Sequence, residues 1–222
     1  MHMDYFYRRS SMHISRLLLV CALLGGAQSA TASSPGSRLY APCMVCHQAS
    51  AWGSADGAIP SLAGQQRRYL EKQIAVFRSG ARVDPAMQTV TAHPTMSDPK
   101  NIAILASYLS KLAPNPNPVQ GAGAHLLAAA DTYGHICAAC HGIDGSGDAG
   151  NRVPRIAGQH YPYLRKQIEA AAELHKNLAP PEMTSALRGM RPEDRDVLAD
   201  YISHLGVLGS SRNLGGPAGM GR

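Results

Sequence analysis

The chain carries one long sequence pattern twice, and this internal repeat constrains its fold more than any other feature. An offset of 94 residues aligns segment 43–74 with segment 137–168. A repeat of this kind predicts two copies of one domain within the 222 residues. A unit of about 85 to 95 residues has limited volume for an apolar core. We therefore expect each copy to fold around an additional apolar group at its centre.

Each copy of the repeat contains the pattern Cys-x-x-Cys-His, which is the attachment signature of a c-type haem. Two thiols three residues apart can both form thioethers with one porphyrin, and the adjacent histidine is then held against the iron. Redox dithiols and zinc sites also use Cys-x-x-Cys, but the directly following histidine and the repeated downstream pattern favour haem. We expect two covalently attached haem c groups, held by Cys43, Cys46 and His47 and by Cys137, Cys140 and His141.

A histidine on one face of the iron leaves the other face to a second ligand. Methionine there favours electron transfer, whereas an open face permits catalysis. Met87 and Met183, in polar, proline-containing segments after an amphipathic helix, are the expected axial ligands. Met96 and Met190 remain alternatives, although their position before the last helix of each unit favours a packing role. Two further histidines could instead give bis-histidine sites: His93 and His175.

A proline stands 13 residues after each motif histidine, at Pro60 and Pro154. The carbonyl of each could accept the Nδ1–H of the histidine and leave Nε2 free for iron. A simple turn proline is the alternative. The repetition of Pro-x-x-Ala-Gly-Gln in both copies favours the supporting role for the histidine.

The secondary structure predicted from the sequence is all-α, because no alternating strand pattern stands out. A helix from about Gly121 to Tyr133 is expected to lead into the second motif, and Pro42 is expected to end its counterpart early. Apolar stripes at helical spacing fall at about residues 69–77, 102–112, 163–168 and 197–205.

Composition suggests where the domains begin and end. Alternating prolines between the copies forbid helix and favour an extended, semi-rigid spacer. The C-terminal segment is rich in Gly and Ser and is predicted to be disordered. We assign a first domain to residues 33–113, a linker to 114–120, a second domain to 121–206 and a disordered tail to 207–222.

Residues 1–32 show the order of regions that is typical of a secretory signal peptide. Arg8, Arg9 and Arg16 precede an apolar run at 17–24, and small residues follow up to Ala32. The apolar run is too short to span a bilayer comfortably. We expect cleavage after Ala32 and export to the periplasm, and an uncleaved membrane anchor is the alternative.

The charge balance says little about partners. The formal net charge of +6 falls to +4 when the basic and acidic residues of the first 32 positions are removed, and haem propionates would offset this excess. No Lys/Arg cluster with interleaved aromatic residues is present in the sequence, so we expect no nucleic-acid partner. Peripheral association with a membrane stays open.

These motifs resemble class I cytochrome c domains in tandem, and most closely the dihaem cytochrome c4 family. The shared features are Cys-x-x-Cys-His, Pro-x-Leu/Ile-Ala-Gly-Gln, Tyr-Leu-x-Lys-Gln, a loop methionine and a closing helix with Ala-x-Tyr, over about residues 36–112 and 121–205. The resemblance implies two tandem helical domains, each enclosing one covalently bound haem c with one edge exposed. The first unit departs from the family, because Gln48 stands where members often have glycine, as at Gly142.

The resemblance also implies a function, because members of this family are typically periplasmic or membrane-associated carriers that pass electrons towards terminal oxidases. We expect a periplasmic dihaem cytochrome, and not an enzyme, that transfers electrons between partners of a respiratory chain: an oxidase, a cytochrome complex or a dehydrogenase. The alternative is a cytochrome subunit that accepts electrons from a flavin- or quinone-dependent periplasmic dehydrogenase. A catalytic dihaem cytochrome would need a labile face at one iron, whereas both units offer a methionine.

Overall fold

The computed structural model describes residues 33–173 and 179–206. Within these ranges the regular structure is helical, apart from an isolated bridge between Asp148 and Val153. None of the helices in the described ranges is long and apolar enough to cross a membrane. The predicted signal peptide, the predicted C-terminal tail and His175 lie outside the described residues.

The two halves place equivalent helices in the same order, as expected for a duplication. The helices of the first half are α1 (Pro35–Tyr40), α2 (Met44–His47), α3 (Arg67–Arg78), α4 (Pro85–Thr91) and α5 (Pro99–Ser110). Those of the second half are α6 (Leu126–Thr132), α7 (Ala138–His141), α8 (Tyr161–Ala172), α9 (Pro181–Arg188) and α10 (Pro192–His204). The motif helices α2 and α7 follow a 3₁₀ turn at Ala41–Cys43 and a π-helical turn at Tyr133–Cys137.

Glycine and proline determine where several helices begin. The helix expected from Gly121 starts only at Leu126, because Gly123 has a φ of +72° that no right-handed helix accepts. Helix α4 has proline at its first position, and the Asp84 side chain accepts a hydrogen bond from the Met87 N–H at 3.1 Å. Proline and a capping carboxylate at a helix start explain why this segment is helical rather than the expected loop.

A buried tyrosine ends the region before each motif and anchors the residue that follows the motif. Tyr40 and Tyr133 are buried in the cores of the first and second halves. The Tyr40 hydroxyl donates to the carbonyl of Gln48 at 2.6 Å, and the Tyr133 hydroxyl donates to the carbonyl of Gly142 at 2.6 Å. Each motif therefore lies between two points fixed by the core.

The linker between the halves is held at both ends by hydrogen bonds. The Trp52 indole N–H donates to the carbonyl of Ala113 at 3.0 Å, and the Val119 N–H donates to Nδ1 of His160 at 2.9 Å. His160 is buried, and its Nε2 lies 2.6 Å from the carbonyl oxygen of Trp52. With Nδ1 as acceptor and Nε2 as donor, a neutral His160 connects the first half, the linker and the second half.

A second connection between the halves is formed by Arg82. Its guanidinium donates to the Tyr163 hydroxyl at 3.1 Å and to Gln167 Oε1 at 2.6 Å in the second half. In the first half it binds the side chains of Gln73 and Tyr69. Tyr69 and Gln73 are the repeat equivalents of the two residues it binds in the second half, so one arginine bridges two matching pairs.

The glutamine at position 48, where members of the family often have glycine, leads to a stability prediction. Gln48 has φ 66° and ψ 164°, a region almost restricted to glycine, and Gly142 occupies the equivalent position with φ 76° and ψ 155°. We expect Gln48→Gly to raise the free energy of unfolding of the first half by about 1 kcal/mol. Denaturant titration of the haem-loaded protein, followed through haem absorbance, measures this change.

Two further variants serve as comparisons for Gln48→Gly. Gly142→Ala is expected to destabilise the second half, because alanine does not tolerate this backbone conformation. Gly134→Ala is the matched control, because its added Cβ meets no atom within 4 Å and its φ is not positive. An unchanged midpoint for Gln48→Gly, with a normal midpoint for the control, would contradict the proposed strain.

Candidate functional site

Each Cys-x-x-Cys-His motif presents one covered and one solvent-exposed thiol. Cys43 and Cys137 are partly buried, whereas Cys46 and Cys140 are exposed, and none of the four forms a disulfide. Burial, with the neighbouring cysteine as a smaller cause, raises the pKa of Cys43 and that of Cys137 to about 11. A raised pKa of the first thiol is opposite in direction to the lowered pKa that marks a reactive redox cysteine.

The structure places the motif histidines against the two prolines. Nδ1 of His47 lies 3.0 Å from the carbonyl oxygen of Pro60, and Nδ1 of His141 lies 3.2 Å from that of Pro154. A carbonyl only accepts, so Nδ1 carries the proton and Nε2 keeps its lone pair. Each ring therefore has the tautomer that an iron ligand needs.

Loss of water contact favours the neutral form of both histidines, of which His47 is buried and His141 is partly buried. It is the largest cause of the lowered pKa of His47, opposed by the hydrogen bond to Pro60 and by the carboxylate of Asp84. Burial also lowers the pKa of His141, opposed by the hydrogen bond to Pro154. A neutral imidazole is the form that binds a metal.

Equivalent backbone contacts hold the two proline-containing loops. The carbonyl of Ala51 accepts the N–H groups of Leu62 and Ala63, at 2.8 and 3.1 Å. The carbonyl of Gly145 accepts those of Ile156 and Ala157, at 2.9 and 3.0 Å. These contacts hold the proline carbonyls that accept from the motif histidines in matching positions. Nothing in the sequence indicated the role of the carbonyls of residues 51 and 145.

The first-half methionines occupy different environments. Met96 is 6% exposed and belongs to the apolar core together with Tyr40. Met87 is half-buried on α4, whose capping residue Asp84 is close enough to His47 to raise its pKa. Asp84 at the start of α4 thus interacts electrostatically with His47, while Met96 is engaged in core packing.

In the second half, Met183 and Met190 both pack against the core as half-buried residues. Met183 lies on α9, in a short helix rather than the expected loop, and the carbonyl of Met190 accepts from Arg195 at 2.8 Å. Among the alternative ligands, His93 is exposed, and its Nδ1 is 2.9 Å from the Thr95 hydroxyl. His93 thus serves locally in the turn before α5.

One buried polar atom tests whether the site fits a haem. Nε of Arg155, in the residue after Pro154, is buried and has no hydrogen-bond partner among the described residues. A guanidinium is a preferred partner for carboxylates, and haem carries two propionate carboxylates. The paired thiols, the neutral histidines and this unpaired N–H together fit a covalently attached haem.

The residues that join the two halves were not predicted from the sequence. Gln65 and Gln159 bind the backbone of the opposite half, and Arg82 and His160 also cross between the halves. The repeated Ala-Gly-Gln pattern was the one signal for the glutamines. It could be read as a turn pattern, because the sequence does not reveal how the halves pack.

Comparison with known proteins supports the same conclusion. The family model for cytochrome c matches residues 33–113 and 126–206. A thiosulfate dehydrogenase electron acceptor of Stutzerimonas stutzeri (strain A1501) is 32% identical over 205 residues, which cover 84% of this chain and 93% of that protein. Cytochrome c4 of Azotobacter vinelandii is 30% identical over 168 residues, which cover 68% and 78% of the two chains.

A solved structure gives the same result for the fold. Cytochrome c4 of Acidithiobacillus ferrooxidans matches with a TM-score of 0.63 and 25% identity, covering 74% of this chain and 99% of that chain. This confirms the expected fold class of two tandem helical domains. The two Cys-x-x-Cys motifs attach one haem c in each half. The chain belongs to the cytochrome c family and is an electron-transfer dihaem protein of the cytochrome c4 type.

Proposed function

We propose that this chain is an exported carrier that accepts electrons from a dehydrogenase outside the cytoplasm and passes them to a respiratory acceptor. The observation that carries the proposal is a motif histidine with a fixed tautomer in each half, buried at His47 and partly buried at His141. Hydrogen bonds between the halves join the two sites. A bound haem supplies a one-electron site whose geometry changes little when both axial ligands are strong. The protein provides the ligands that maintain this geometry, once in each half.

Four residues are proposed to ligate the irons. His47 and His141 bind through Nε2, while Pro60 and Pro154 hold the opposite edges of their rings. Met87 and Met183 close the other faces. Support for Met87 comes from the electrostatic interaction of Asp84, at the start of α4, with His47 and from the core packing of Met96. A thioether on each iron favours electron transfer over catalysis, in keeping with the carrier role.

The proposed donor is a dehydrogenase, and the relative named as a thiosulfate dehydrogenase electron acceptor favours a thiosulfate-oxidising one. Exposed apolar residues next to the motifs give a surface for transient docking. Val45, between the two cysteines of the first motif, is 85% exposed, and Ile143 is exposed two residues after the second motif. Small apolar contacts of this kind suit short-lived complexes.

We also propose export to the periplasm with cleavage after Ala32. The mature protein is then expected to begin at Ser33, and N-terminal sequencing of the protein from a periplasmic extract measures this directly. An intact N-terminus in the membrane fraction would instead support the anchor alternative.

Leucine substitutions separate the methionines, because leucine keeps the volume and removes the sulfur ligand. We expect Met87→Leu and Met183→Leu each to retain both haems and to convert one iron to a high-spin or solvent-ligated form. The visible and electron paramagnetic resonance spectra should then lose one of two low-spin signals. Met96→Leu and Met190→Leu are the matched controls, with unchanged spectra. Loss of a low-spin signal in a control would reassign the ligand of that half.

Electron acceptance is tested by mixing the oxidised dihaem protein with a thiosulfate dehydrogenase and thiosulfate. We expect rapid reduction of both haems by stopped-flow absorbance, and no reduction when the dehydrogenase is omitted. Failure of reduction would reject thiosulfate oxidation as the electron source.

Docking near the first motif is tested with Val45→Glu, which places a charge on the exposed apolar surface. We expect slower reduction at an unchanged potential. Leu127→Glu is the matched control, because Leu127 is 91% exposed on α6 and lies outside both motifs. Equal slowing in both variants would contradict docking at the first motif.

A further inference from the structure

Two equivalent glutamines each bind the backbone of the opposite half at two points. Oε1 of Gln159 accepts from the Ser61 N–H at 2.9 Å, and Nε2 donates to the Ser61 carbonyl at 3.0 Å. Gln65 binds Arg155 in the same way, with both distances 2.8 Å. Both glutamines are 7% exposed, so water has little access to these hydrogen bonds.

Neighbouring backbone groups determine the orientation of each amide. Oε1 of Gln65 also accepts from the N–H of Gln66 at 2.8 Å, and Oε1 of Gln159 also accepts from the N–H of His160 at 3.0 Å. Two N–H donors thus converge on one atom of each amide, which must be the oxygen. Each glutamine is held as an acceptor towards the opposite half.

The bound residues directly follow the prolines that support the motif histidines. The peptide group between Pro60 and Ser61 accepts from His47 through its carbonyl and donates to Gln159 through its N–H. The peptide group between Pro154 and Arg155 likewise accepts from His141 through its carbonyl and donates to Gln65 through its N–H. Hydrogen bonds at the two ends of one peptide group polarise each other and strengthen both.

We propose that each glutamine is a positioning residue for the motif histidine of the opposite half. Gln159 strengthens the hydrogen bond from Nδ1 of His47 to Pro60, and Gln65 strengthens that of His141 to Pro154. A stronger bond at Nδ1 makes the imidazole a better electron donor to its metal, which favours the ferric state and lowers the reduction potential. The inference rests on ligation by His47 and His141, and it is independent of the partner proteins.

The test compares Gln159→Met and Gln65→Met in the mature, haem-loaded protein, because methionine keeps the length and removes the amide. Potentials of the individual haems are measured by redox titration with NMR, after the haem resonances have been assigned to each half. We expect a crossed pattern. Gln159→Met shifts the first-half haem to a more positive potential and leaves the second unchanged, and Gln65→Met does the reverse.

Gln66→Met is the matched control. Gln66 Nε2 donates to the carbonyl of Ser146 in the opposite half at 2.8 Å, without contact to either proline peptide. Its loss removes a cross-half hydrogen bond and is expected to leave both potentials unchanged. A shift in the glutamine's own half, equal shifts in both halves or no shift in a folded variant would overturn the proposal.

Two further measurements keep the proposal testable if a methionine variant does not fold. Gln159→Glu keeps an oxygen acceptor for the Ser61 N–H, so a positive shift of the first-half potential in that variant would overturn the proposal. In the unaltered protein, the Ser61 and Arg155 amides are expected to exchange as slowly as core amides, and fast exchange would overturn it. A wrong ligand assignment is recognised separately, because the ring-proton resonances of His47 and His141 would then lack haem-induced shifts.

Discussion

The hydrogen bond from Nδ1 of each motif histidine to a proline carbonyl is the contact on which the rest of the structure depends. It fixes the ring and its tautomer, and it requires the loop after each motif to return to the histidine at a defined distance. The same loop places the next residue, Ser61 or Arg155, at the contact between the halves. The proposed histidine ligation and the joining of the halves therefore use one short segment of backbone.

Much of this arrangement could be predicted from the sequence, because it is encoded locally and twice. The spacing of 13 residues between histidine and proline recurs in both units, and a repeated spacing is unlike a chance turn. Apolar periodicity located α3, α5, α8 and α10, since each buries one helical face. The expected all-α fold of two cytochrome c domains is confirmed by the family match and by the solved cytochrome c4 structure.

The remainder depends on contacts between distant residues, which local patterns do not encode. The linker prolines predicted an extended, semi-rigid spacer, but not that Trp52 and His160 would hold its two ends. The segments around Met87 and Met183 are helical where polar residues and proline suggested loops. Gln48 has adverse backbone angles, and its carbonyl is bound by the hydroxyl of Tyr40, which is itself buried in the core. Each result needed the packed tertiary structure.

The reciprocity of the glutamine contacts has a consequence for the origin of the molecule. Gln65 binds Arg155, and its repeat equivalent Gln159 binds Ser61, which is the repeat equivalent of Arg155. This is the self-complementary pattern of an interface between identical subunits. A single ancestral carrier with this surface would pair with a copy of itself. Fusion into one polypeptide makes that pairing intramolecular, so it no longer depends on protein concentration and is not lost on dilution.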